Sequence, residues 1–128
     1  MEKICFTVTG GCHFDRHLHF ESYPVMGRTN PVSVDERAGG VAANIARHLA
    51  SSGQNVRFVG VQPESAHAAM QIHLTDCGIA AAFTHIDGDV PCYTALVGPN
   101  GDLLIGAAAL SLYDVVRPDH ILSLVTST

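Results

Sequence analysis

Two helix-length stripes, each closed by a glycine and followed by a short apolar run, constrain this chain's fold most tightly. In the first, over residues 41–52, Val41, Ile45 and Leu49 recur four apart with Ala42 and Ala46 beside them, and Gly53 stands where a helix would stop. In the second, Ala66, Ala69, Met70, His73, Leu74 and Cys77 follow the spacing of one buried helical face, with Ser65 placed to cap it and Gly78 to end it. Residues 4–8, 56–61 and 79–86 are short, apolar runs that read as strands, the first as a buried one. Helix-length connections between strands imply parallel pairing with helices packed on the sheet. The expected class is α/β.

The remaining segments have a different texture. Residues 12–20 alternate with period two: Cys12, Phe14, Leu18 and Phe20 share one face, with Arg16 the exception, while His13, Asp15, His17 and His19 share the other. A turn-rich stretch at 22–31 follows, then Val32 and Val34 suggest a short strand ahead of Ala38-Gly39-Gly40. Downstream, two apolar runs at 92–97 and 103–105 flank Pro99-Asn100-Gly101-Asp102, a strong hairpin signal. Gly88-Asp89 reads as a hairpin turn too. Strands with one polar face do not suit a sheet covered on both sides, so they are assigned to a second, smaller β layer. The chain after Ala107 reads as loop until Pro118, which with Asp119 suits the first turn of a helix. A new strand is expected to begin near Leu122.

Composition narrows the function classes. The chain has 128 residues, 47% hydrophobic and 15% charged, which fits one folded domain and excludes intrinsic disorder. Seven basic against 12 acidic residues give a net charge of −5, against a nucleic-acid footprint. No apolar run is long enough to span a bilayer, and residues 1–11 lack the pattern of a secretory signal. The four cysteines form no C-x-x-C pair, so reduced thiols and a cytoplasmic setting are expected.

The segment Ala38-Gly39-Gly40-Val41-Ala42-Ala43-Asn44 carries the most chemistry. Two glycines before a helix admit a ligand close to the backbone, the helix start offers N–H groups, and Asn44 adds an amide one turn in. That combination suits hydroxyl-rich ligands. The same residues also make sense as a tight strand-to-helix turn with a capping or surface asparagine. Neither a Walker A loop nor G-x-G-x-x-G is present.

On these residues the chain resembles the ribokinase-like, or PfkB, family of carbohydrate and nucleoside kinases. The resemblance lies in AGGVAANIARHLASSGQNVRFVG, with Gly53 and Gly60 at its later positions, and in Gly10-Gly11-Cys12-His13-Phe14-Asp15 after the first strand. It also lies in the hairpin at 91–105, similar to two strands of the family's sugar-covering lid. It implies a three-layer α/β fold with a small β lid and phosphorylation of a sugar or nucleoside hydroxymethyl group, with ATP and Mg²⁺. Residues 1–128 would be the N-terminal portion, with lid strands at about 12–37 and 90–106. The ATP-binding and catalytic portion would lie beyond Thr128, leaving the chain alone inactive. Asp15 and Asn44 would bind sugar hydroxyls and Gly39-Gly40 would let the ring lie on the backbone, with His13 and Tyr93 as weaker contacts. A homodimer through the lid strands is implied as well. Among subgroups, the 41–53 helix with Tyr93-Thr94-Ala95-Leu96 and Asn100-Gly101-Asp102-Leu103 looks most like pseudouridine kinases.

The chain departs from the family pattern in two places. His13 stands where asparagine is common, and Gln62-Pro63-Glu64-Ser65-Ala66-His67 replaces a segment with two glycines. Two rival readings remain: a non-catalytic binding or dimerisation module built on exposed β edges, and a metal protein using Cys12, His13, Asp15, His17 and His19. Strand neighbours two apart stand nearly 7 Å from each other, so convergence on one ion would need help from elsewhere.

Overall fold

The structure, a computed structural model, describes residues 4–126. In chain order it contains β1 (Cys5–Thr9), β2 (His13–Phe20), β3 (Val32–Gly39), α1 (Val41–Ser51), β4 (Asn55–Gln62), α2 (Glu64–Asp76), β5 (Ala80–His85), β6 (Cys92–Val97), β7 (Leu103–Ala109) and α3 (Pro118–Val125). A short 3-10 helix, Ser111–Val115, precedes α3.

Strands β1, β4 and β5 form a parallel sheet in the order β1-β4-β5. Alternation along β4 decides its two faces. Val56 and Phe58 point into a core with Ala42, Ala43, Ala46, Met70, Leu74 and Phe83, so α1 and α2 cover that side. From the opposite face, Arg57 donates to the Leu124 carbonyl of α3, and Thr84 of β5 donates to the His120 carbonyl at 2.6 Å. The result is helix, sheet, helix. The other four strands make a mixed sheet in the order β3-β2-β6-β7, with β2 antiparallel to β3 and parallel to β6, and β6 antiparallel to β7. Both expected sheet types are therefore present, and α1 and α2 stop before Gly53 and Gly78 as read.

Several local expectations need correction. Among the described residues β1 is an edge strand paired with β4 alone, and it is largely exposed instead of buried. β3 runs eight residues, well past Val34; its Glu36 faces Arg16 of β2 at 3.5 Å, so charged cross-strand pairing replaces apolar alternation. On α1 the buried face is Ala42, Ala43 and Ala46, while Val41 and Ile45 are 76% and 49% exposed. The alanine face comes close to the turn after β1, where Ala42 packs against Gly10, and that approach rotates the larger side chains outward.

On α2, Met70 and Leu74 are buried but Ala69 is exposed, and Cys77 is half-buried against the core. Pro63, with extended backbone, is the N-cap and Ser65 lies inside the helix; no side-chain cap is made. Gly88-Asp89 joins β5 to β6, which belong to different sheets, so it closes no hairpin. β7 extends to Ala109, a 3-10 turn occupies part of the expected loop, and the region near Leu122 is helical to Val125. Pro118 begins that helix as expected, because its missing N–H costs nothing at a helix start.

Candidate functional site

The chain passes from the parallel sheet to the mixed sheet through Gly10-Gly11-Cys12, and this crossing positions the site. The Cys12 N–H donates to the Tyr113 hydroxyl at 2.9 Å, and that hydroxyl lies 3.2 Å from the Cys12 carbonyl. Gln62, only 1% exposed at the end of β4, donates to the same carbonyl at 2.6 Å. A peptide gripped from both sides has little freedom, so the residues that follow emerge in a set direction. Burial pushes the Cys12 thiol up to about 12 and the Tyr113 phenol to about 12 as well. Cys12 is thus a neutral core thiol.

Next along β2, His13 and Asp15 share a face, and His13 Nδ1 lies 2.8 Å from Asp15 Oδ1. His13 is buried and Asp15 half-buried. Across the strands, Asp15 stands opposite Arg37 of β3 and Tyr93 of β6. Its carboxylate packs over Gly39, where an added Cβ would collide with both carboxylate oxygens. Gly40, at φ 95°, caps α1, and a Cβ there would strike the Gly11 carbonyl, which accepts the Ala43 N–H at 3.2 Å. Each glycine therefore makes room for a neighbour: Gly39 for the carboxylate, Gly40 for the chain crossing.

One turn into α1, exposed Asn44 accepts a hydrogen bond from Arg47 through Oδ1. Arg47 Nη2 also donates to the Ala38 carbonyl at 3.3 Å, and Nη1 lies 3.4 Å from His73 Nε2. Burial first and the Arg47 charge second hold His73 below the ordinary imidazole range, which suits a neutral ring accepting from arginine. With Oδ1 engaged, Asn44 presents chiefly its Nδ2 donor.

Further along the same face, His17 and His19 stack at 6.3 Å and line a hollow of about 370 Å³ with Arg37, Tyr93 and Ala95. The Tyr93 ring lies against Gly106 of β7. Arg37 is paired with Asp35 at 2.7 Å. The structure thus gathers His13, Asp15, Gly39 and Gly40, sets Tyr93 across from Asp15, and places Asn44 at the adjoining helix start. It does not assemble Cys12, His13, Asp15, His17 and His19 around one point: Cys12 lies in the core, and among the described residues no three His, Cys, Asp or Glu side chains could hold an ion.

Sequence reasoning missed Arg47, Gln62 and Tyr113. Arg47 had a signal, since three residues along a helix is contact distance from Asn44. Gln62 had a weaker one, a polar residue ending a buried strand. Tyr113 had none, because its partner is 101 residues away.

The pfkB family carbohydrate kinase model matches residues 16–109. Among solved structures, a carbohydrate kinase from Agrobacterium tumefaciens is 31% identical, with a TM-score of 0.77 over 88% of this chain and 37% of that one. Ribokinase from Giardia lamblia is 17% identical, TM-score 0.72, over 84% and 36%. A Methanocaldococcus jannaschii nucleoside kinase is 16% identical, TM-score 0.71, over 89% and 40%; at such identities the likeness shows the fold. No curated protein matches the chain. The chain spans roughly two-fifths of the length of these structures. With a family match across most of its residues and a fold shared with ribokinases, the chain belongs to the pfkB family of carbohydrate kinases.

Proposed function

We propose that this chain forms the acceptor-binding part of a kinase that transfers phosphate from ATP to a hydroxymethyl group of a sugar or nucleoside. The observation that carries the reading is the Asp15 carboxylate, held by His13 at 2.8 Å over the bare backbone of Gly39, beside the helix start that presents Asn44. A carboxylate accepts charge-assisted bonds from two hydroxyls, and the Asn44 amide donates to a third oxygen. The stacked His17 and His19 with Tyr93 form the apolar and aromatic wall against which a ring would lie. In this reading the mixed sheet is the lid, and its exposed β7 edge supports a homodimer through the lid strands.

The described residues do not fit ATP and Mg²⁺. Phosphoryl transfer relies on cations and metal around the transferring group. Among the described residues, Arg16, Arg37 and Arg117 are paired with Glu36, Asp35 and Asp119, Arg47 is tied to Asn44 and the Ala38 carbonyl, Arg57 to the Leu124 carbonyl, and Arg28 sits in the turn after β2 with Val25 and Asn30. No three-residue cluster able to hold an ion occurs among the described residues. The chain's own role is to bind and orient an acceptor, and by itself it turns over nothing.

Equilibrium binding of a pentose, hexose and nucleoside panel tests this. At least one member should bind saturably, and Asp15→Ala or Asn44→Ala should weaken it at least about tenfold, the worth of one to two good hydrogen bonds. Unchanged binding in both variants, or ATP consumption by the 128 residues, would overturn the reading.

A further inference from the structure

Away from the acceptor face, α2 and β5 bring two imidazoles together. His67, in the second turn of α2, and His85, the last residue of β5, place Nδ1 and Nε2 2.5 Å apart, with the rings nearly perpendicular at 85°. Gln71, one turn along α2, decides what these nitrogens carry. Its Nε2 donates to the Ala81 carbonyl at 2.8 Å, which turns Oε1 toward His67 Nε2 at 3.2 Å. An amide oxygen only accepts, so His67 Nε2 holds the proton and Nδ1 presents a lone pair toward His85. The His67 ring is steadied edge-on against buried Phe83 at 5.5 Å, while His85 is exposed and can turn.

We propose that His67 and His85 form a two-imidazole site for a borderline divalent transition ion such as zinc, with water completing the coordination shell. Two zinc–nitrogen bonds at a tetrahedral angle set the nitrogens roughly 3.3 Å apart, so the exposed His85 ring must swing outward to admit an ion between the pair. Gln71 plays the part that carboxylates and carbonyls play behind ligating histidines elsewhere, fixing tautomer and ring direction. Neutral imidazole is a preferred donor for such ions, whereas Mg²⁺ favours oxygen, so the site is unrelated to phosphoryl transfer. An ion here ties the start of α2 to the end of β5 and stabilises the folded chain by mass action.

The test is calorimetric titration of zinc chloride into the 128-residue chain, with thermal melts in parallel. The expected result is one saturable site that raises the melting temperature, weakened at least tenfold by H85Q and comparably by H67Q. Gln71→Leu should weaken it about 10-fold or more, while H48Q, at an exposed position of α1, should bind as the parent does. H85Q is the decisive variant, because His85 is exposed and its loss leaves the core intact. Zinc binding unaffected by H85Q, or no saturable binding by the parent chain, would overturn the proposal.

Discussion

At the scale of single residues, the site is a set of close approaches that particular side chains permit or enforce. Gly40 combines a positive φ with contact against the Gly11 carbonyl, so Gly40→Ala should cost about 1–3 kcal/mol in urea denaturation, more than a surface substitution. Tyr113 fixes the crossing between the sheets by gripping Cys12, and Tyr113→Phe should cost about 1–2 kcal/mol by leaving the Cys12 N–H without its partner. The same pair sets an alkaline limb. Burial first raises the Cys12 thiol from 9.0, and the Tyr113 phenol from 10.0, to about 12 each. Above those ordinary values the unfolded chain releases protons that the folded chain retains. The stability is therefore present below about pH 9 and is lost as pH rises toward 12. The urea midpoint should fall over that interval, and less steeply above pH 10 in Tyr113→Phe, which keeps only the Cys12 contribution. Little of this was legible in the sequence. Gly39, Gly40 and Asn44 stood out because glycine pairs before helices are locally informative, but Tyr113 acts across 101 residues and leaves no local trace.

At the scale of elements, periodicity located strands and helices well and assigned their faces less well. The stops at Gly53 and Gly78 and the Asn100-Gly101 hairpin follow from backbone chemistry that any fold must respect. The orientation of α1 does not. Its alanine face wins because small side chains let the helix approach Gly10, and that distance depends on the partner element. β3 likewise outruns its apolar pattern, since Asp35, Glu36 and Arg37 find cross-strand and same-strand charge partners in place of a core. The exposed element with the clearest consequence is β7, open along its whole length with Leu103 and Ile105 outward. If lid strands pair two copies, sedimentation velocity should show a concentration-dependent dimer that Ile105→Lys abolishes, and a monomer at every concentration would refute that pairing.

At the scale of the whole molecule, the proposed acceptor site lies where the chain first passes from one sheet to the other. The parallel sheet with its helices supplies Gly40 and Asn44, the mixed sheet supplies His13, Asp15 and Tyr93, and Gly10-Gly11-Cys12 joins them. The family membership and the α/β class were both readable from the glycine-rich helix start and the strand–helix order, because these are patterns of neighbours in sequence. The junction was not, because register between sheets is a tertiary property. Backbone amide shift mapping by NMR of the 128-residue chain with a binding pentose or nucleoside tests the central claim most directly. The account predicts that the largest shifts fall on Gly11, His13, Asp15, Gly39, Gly40 and Asn44, with α3 and the outer end of β5 unmoved. Shifts centred on α3 or β5, with Asp15 and Gly39 silent, would contradict it.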